Sequence, residues 1–202
     1  MLSSFSLAIS ALALFISALT AWFTLLRRGT VKMTQPTTIY LGPDARGANG
    51  QTHPKVYLRT LLYATAKRGC IVENMFLRVH RRETTQVFNV WVLGEERLSR
   101  GSGLFISDAG VVANHHFLLP ADGTRFAFLP GPYVVDILAT IVGRKVALRL
   151  GSVEVEISPK QSDELATSED GIFLDWSPDS ASYHERVEPR RLPQRNIPPF
   201  NL

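Results

Sequence analysis

Hydrophobic and polar residues divide the chain into three stretches of different period. The first has no period at all. From Ser3 to Leu26 (SSFSLAISALALFISALTAWFTLL) apolar residues fall on every side of a helical projection, and no Asp, Glu, Lys or Arg precedes Arg27. Such a run predicts a helix that is apolar all round. As a helix, Phe5 to Leu26 measures about 33 Å, the thickness of a bilayer core. The run lacks the basic start of a secretory signal, exceeds the usual length of one and is followed by no Ala-x-Ala site. It therefore reads as a retained transmembrane helix occupying residues 1–28, with its span at about 5–26 and Trp22 as an interfacial anchor.

Within this run Ser3, Ser6, Ser10, Ala13, Ser17, Thr20 and Thr24 recur at spacings of 3, 4, 3, 4, 3 and 4. That is one stripe of small residues along a helix. In lipid, small residues let helix backbones approach and hydroxyls bridge between helices. The competing use of each hydroxyl is a bond to its own helix. The stripe predicts packing of this helix on itself or on another membrane subunit.

In the second stretch, from about Thr34 to Ile157, the period falls to two. Strands are expected near 37–41, 55–64, 71–81, 86–93, 102–107, 110–119, 132–142 and 145–157, separated by Gly, Pro and Asp clusters. Residues 29–53 then form a juxtamembrane segment with the first strand, and 54–157 the core. The fold class is all-β, an antiparallel β-sandwich behind an N-terminal transmembrane helix. Met75, Leu77 and Val79 share one face of their strand, opposite Arg78 and His80. Tyr133, Val135, Ile137, Ala139 and Ile141 form an apolar face, and Asp136 on the other face is expected to pair across the sheet or to accept backbone donors.

The third stretch, 158–202, reads as a polar tail. SPKQSDELATSEDG suggests a linker or short helix, and the segment 171–178 is expected to dock through Ile172, Phe173 and Trp176. EPRRLPQRNIPPFNL is expected to be extended or disordered until a partner binds.

Two local features resemble the immunoglobulin and fibronectin type III sandwiches. FLPGPYVVDILA is similar to the turn and strand that carry their tyrosine corner. The resemblance assigns that role to Tyr133, with its hydroxyl returned to the backbone upstream. FNVWVLG places Trp91 where their third strand carries a core tryptophan. Antibody domains staple their sheets with two cysteines, whereas this chain has one, Cys70. The resemblance implies an architecture and no ligand.

Charge refines the picture. Residues 27–101 hold 13 Lys/Arg and 5 Asp/Glu, net +8, and residues 102–202 hold 9 and 13, net −4. A basic stretch directly after an apolar run points to a membrane surface. Arg27, Arg28 and Lys32 follow the span, so the positive-inside rule places the domain in the cytoplasm and the N-terminus outside. The alternative is an external or periplasmic domain. Arg78, Arg81 and Arg82 are surface-binding candidates, but no recognition helix or stacking motif accompanies them, and nucleic acid is not expected as a partner.

Candidate chemistry centres on GSGLFISDAGVVANHHFLL, residues 101–119. This stretch resembles the one around the catalytic histidine of bacterial trypsin-like peptidases. The resemblance would make His116 the general base and Asp136 or Asp122 its orienting carboxylate. It lacks the second half of that machinery. None of the serines after His116 is followed by Gly, so no Gly-x-Ser-Gly-Gly turn supplies nucleophile and oxyanion donors. As a plain hairpin, strand 102–107 and strand 110–119 would meet through Asp108-Ala109-Gly110. His115 and His116 then face opposite sides of one strand, which disfavours joint metal binding and leaves each a surface-binding candidate. No metal-ligand spacing, phosphate loop or dinucleotide fingerprint is present, so no cofactor is expected. These features predict a membrane-tethered, non-enzymatic protein-interaction or assembly module. The alternatives are a hydrolase centred on His116 and a carbohydrate- or lipid-binding sandwich.

Overall fold

The computed structural model describes residues 2–27, 29–44, 53–94, 99–120, 122–167 and 171–188. Helix α1 (Leu2–Ala21) continues through one wider turn, Trp22–Leu26, closed by Arg27 N–H donating to Trp22 O at 2.8 Å. None of the apolar stretch Phe5–Leu26 is buried against the other described residues.

The remainder is mostly antiparallel β-sheet, in two sheets. The first contains β1 (Val31–Met33), β2 (Thr38–Pro43), β3 (Pro54–Ala64), β6 (Val90–Leu93), β7 (Ser99–Arg100), β9 (Val111–Leu118), β12 (Gly171–Ser177) and β13 (Ser182–Glu188). Its order is β13-β12-β2-β3-β9-β6-β7, with β1 on the far end of β3. The second contains β4 (Cys70–Arg81), β5 (Thr84–Phe88), β8 (Leu104–Ile106), β10 (Gly131–Ile141) and β11 (Leu148–Ile157). Its order is β11-β10-β4-β5, with β8 on the start of β4.

The alternation that predicted the strands also builds the core. Leu58, Leu62, Trp91 and Phe117 of the first sheet and Met75, Leu77, Val135, Ile137 and Val153 of the second belong to one buried cluster. Each such side chain contributes about 1.5–3 kcal/mol by leaving water. Two sheets sharing one apolar interior are compatible with a β-sandwich.

Four expectations change. The strand expected at 86–93 breaks at Asn89, because Phe88 and Trp91 are both buried and three residues apart cannot share a face at period two. The break carries the chain from the second sheet to the first. Trp91 consequently lies on β6, beside β9, and is not on the third long strand, β4. The hairpin expected at 101–119 is absent: β8 pairs with β4, while β9 pairs with β3 and β6. The turn Ser107–Gly110 switches sheets, with Gly110 N–H donating to Ser107 O at 3.2 Å and Ala64 N–H reaching the same oxygen at 2.9 Å. Finally, much of the expected polar tail is ordered structure. Helix α2 (Pro159–Thr167) opens with a capping box: Gln161 N–H donates to Ser158 Oγ at 3.3 Å, and Ser158 N–H to Gln161 Oε1 at 2.5 Å. The segment expected to dock at 171–178 is a full strand, β12, with Ile172 and Leu174 buried and β13 beyond it. The Pro/Arg-rich end, 189–202, lies outside the described residues.

Candidate functional site

The histidine doublet sits mid-strand on β9, one ring on each face. His115 is fully buried. The Trp91 indole N–H donates to its Nδ1 at 3.1 Å, so the imidazole proton resides on Nε2, which has no partner among the described residues. Burial, and then the neighbouring His116, lower its pKa to about 4. Gly101 explains part of the motif around it. A Cβ at that position would lie 2.4 Å from Cδ2 and Cε3 of Trp91, so the first residue of Gly-Ser-Gly is the space the indole needs. Gly110, at φ +81, supplies the left-handed turn between the sheets. Residues 101–119 thus hold Trp91 and His115 together.

His116 faces the other way, beside the Tyr57 ring at 4.8 Å. Its Nε2–H donates to Gly94 O at 3.1 Å, and its buried Nδ1 has no partner among the described residues. Burial first, and the Lys55 charge second, lower its pKa to about 4. Tyr57 O–H and Arg59 Nη1 both donate to Asn114 Oδ1, at 2.9 and 3.0 Å, on the same face.

Asp136 does not meet His116. It lies on β10 in the second sheet, where Ser152 Oγ donates to Oδ1 at 2.8 Å and Arg149 Nη2 approaches the same oxygen at 3.0 Å. His80 Nε2 is 3.4 Å from Oδ2, and His80 Nδ1 is 2.9 Å from Thr85 Oγ1. This is the cross-strand pairing expected of Asp136. The order hydroxyl, imidazole, carboxylate matches a nucleophile relay, but it lies on an open sheet face. Acyl-transfer chemistry needs preorganised donors in a water-excluding site. Among the described residues no group of three or more His, Cys, Asp or Glu is placed to hold a metal ion.

The basic candidates separate. Arg81 turns inward, donating to Pro130 O from Nε at 3.1 Å and Nη2 at 2.6 Å, with its guanidinium 6.0 Å from the Tyr133 ring. The Tyr133 hydroxyl in turn donates to Leu129 O at 2.8 Å. Arg78 is exposed over Phe76 at 5.7 Å, and Arg82 caps the β4–β5 turn at φ 51. In the helix stripe, the hydroxyls of Ser10, Ser17, Thr20 and Thr24 bond to carbonyls four residues back, at 2.7–3.0 Å. The stripe offers close backbone approach, with those hydroxyls turned onto their own helix. Ser6 and Ala13 supply two of the accepting carbonyls, and the Ser3 side chain lies outside the described residues.

The structure also builds a site that the sequence reading missed. Among the described residues β11 and β13 are edge strands, each paired on one side. Between them lies a cleft of about 410 Å³ lined by Glu154, Glu156, Glu185, Trp176 and Tyr183 among others. It shares Glu156 and Glu185 with a neighbouring cleft of about 550 Å³ that reaches Arg82 and Gly131. Trp176 and Tyr183 meet edge to face at 5.1 Å. The Tyr183 hydroxyl donates to Pro36 O at 2.9 Å and accepts from Gln35 Nε2 at 3.0 Å, and burial pushes it up to about 12. Among the described residues, Glu154, Glu156 and Glu185 have no cationic partner. The signal was present in Val153-Glu154-Val155-Glu156-Ile157, whose alternation sends both carboxylates outward. No family model, curated protein or solved structure matches the chain.

Proposed function

We propose that this chain is a membrane-tethered, non-enzymatic module that binds an extended, basic protein segment along the β11–β13 cleft. The observation that carries the reading is the cleft: among the described residues, two strand edges without a neighbour flank aromatic rings and three carboxylates without counter-ions. Free edges accept an added strand through backbone hydrogen bonds, and flanking pockets give selectivity.

The tether is supported by a predominantly apolar segment of 22 residues that finds no cover among the described residues. Arg27 and Lys32 beyond the span favour a cytoplasmic domain with the N-terminus outside. An immunoglobulin-like architecture is supported by strand order. β2-β3-β9-β6 faces β11-β10-β4-β5, the order A-B-E-D against G-F-C-C′. The Tyr133 bond to Leu129 O, four residues upstream at the start of strand F in that scheme, is the corner such sandwiches use. The non-enzymatic reading is supported by His116, whose proton is bound to a backbone carbonyl and whose two suggested carboxylates are engaged elsewhere, Asp136 with Ser152 and Arg149 and Asp122 with Thr124 N–H.

A photo-crosslinking residue placed at Ser182 in the full-length chain tests the reading in the membrane. A discrete protein adduct is expected, lost when Glu154, Glu156 and Glu185 are all replaced by Lys. An adduct indifferent to that reversal, or none from Ser182, refutes the cleft as the recognition surface.

A further inference from the structure

One end of the two-sheet body gathers the chain's exit from the helix, a set of uncovered apolar side chains and a set of free basic ones. β3 and β10 end there, and β4, β9 and β11 begin there. Gly29 packs into the same end: a Cβ on it would lie 2.7 Å from Ala66 Cβ, and Thr30 N–H donates to Thr65 Oγ1 at 2.9 Å. Leu26, where the helical segment stops, is three residues from Gly29, so about 10 Å of chain separates the two.

The surface beside Gly29 is apolar. Ile71, Phe105 and Val142 line one shallow cleft of about 430 Å³ with Gly29, Arg68 and Arg144. Their exposures are 42%, 55% and 57%, and Val146 close by is 79% exposed. Phe105 lies over Gly69, where a Cβ would come within 2.6 Å of its ring, so the backbone holds the ring at the surface. Around these sit Lys67, Arg68, Arg144 and Lys145, all exposed and with no ion-pair partner among the described residues. The turns that form this end, 65–69, 107–110 and 142–147, contain one acidic residue, Asp108. Apolar tips ringed by Lys and Arg are the composition of a lipid-interface contact.

We propose that this end of the domain is a second membrane contact, seated on anionic headgroups with Phe105, Ile71 and Val142 at the interface. The proposal rests on the tether reading. The short connection from Leu26 holds the surface against the bilayer at high effective concentration. Each Lys or Arg near an anionic surface then shifts the seated-to-lifted ratio by about five-fold, and four by several hundred-fold.

The test uses the full-length chain reconstituted in vesicles, carrying Cys70→Ser and a spin label at Phe105→Cys. A second preparation carries the label at Glu83→Cys, in the turn at the opposite end. In phosphatidylcholine vesicles containing phosphatidylserine, the label at 105 is expected to relax with oxygen and be shielded from a water-soluble nickel chelate, while the label at 83 stays open to nickel. Replacing Lys67, Arg68, Arg144 and Lys145 by Gln, or omitting phosphatidylserine from the unsubstituted chain, is expected to return the label at 105 to water. A label at 105 open to nickel in anionic vesicles overturns the proposal and leaves the tether standing. Shielding from both oxygen and nickel indicates a protein contact and also overturns it. Failure of the chain to float with vesicles after alkaline extraction removes the tether and the proposal together.

Discussion

His115 makes the body of the protein acid-sensitive, and the size of the effect follows from its surroundings. In the unfolded chain the ring takes a proton near its ordinary 6.5, whereas in the fold burial and His116 hold it to about 4. The unfolded state therefore binds more protons between those values, and stability falls as pH drops through the window. The stabilisation is complete above pH 6.5 and gone below about 4. At about 1.36 kcal/mol per unit, His115 alone removes about 2.5 kcal/mol between about pH 7.5 and 4.5. His116 shifts in the same direction, and its partial exposure makes its share smaller. The assay is urea denaturation of the full chain in micelles, followed by tryptophan fluorescence at those two pH values. With a slope of about 2 kcal/mol per molar urea, His115 lowers the midpoint by about 1 M at the acid pH. His115→Asn keeps an acceptor for the Trp91 indole and has nothing to titrate. It is expected to be less stable at neutral pH and to lose most of this acid dependence. A midpoint that ignores pH in the native chain, or an acid dependence unchanged in His115→Asn, refutes the argument. So does an imidazole resonance of His115 that titrates near 6.5.

Two further substitutions check the packing that organises the same region. Gly101→Ala forces a methyl into the Trp91 ring at 2.4 Å and is expected to destabilise the domain by about 1–3 kcal/mol in the same denaturation assay, with a shift in Trp91 emission. Tyr133→Phe removes the hydroxyl that bonds Leu129 O while leaving the ring in the core, and a loss of about 1 kcal/mol is expected from the urea midpoint.

The long strands were legible because burying one face imposes a period of two that survives in the sequence. Residues 71–81 and 132–142 show it most plainly, and the observed strands Cys70–Arg81 and Gly131–Ile141 differ from them by no more than one residue at either end. β13 was not legible for the complementary reason. It is an edge strand, Tyr183 is half-buried, and the other described side chains on it are exposed, so its sequence carries no apolar stripe. The false hairpin at 101–119 shows a different limit. Strand, turn and strand have the same local pattern whether the strands pair with each other or with different sheets. What separates them here is the distant partners, Cys70–Val72 for β8 and Lys55–Leu62 for β9. The likeness to a catalytic box arose the same way. Glycine and histidine serve a packed indole as well as a nucleophile, and which one applies depends on Trp91, ten residues before Gly101 in the chain.

The charge imbalance along the sequence becomes an imbalance in space only after folding. Lys67 and Arg68 come from the basic stretch, whereas Arg144 and Lys145 come from the stretch of net −4, yet topology brings all four to the end where the helix leaves. Glu154 and Glu156 lie on the far half of β11, which begins at that end. A neighbouring cleft that shares Glu156 and Glu185 reaches Arg82 and Gly131 at the opposite end. On the proposed seating, anionic headgroups attract the first group, which fixes that end against the bilayer and leaves the acidic cleft toward the far end of the domain. The Debye length at physiological salt is about 8 Å. A cleft further than that from the headgroups is electrically separate from the membrane, so its carboxylates remain available to a basic segment arriving from solution.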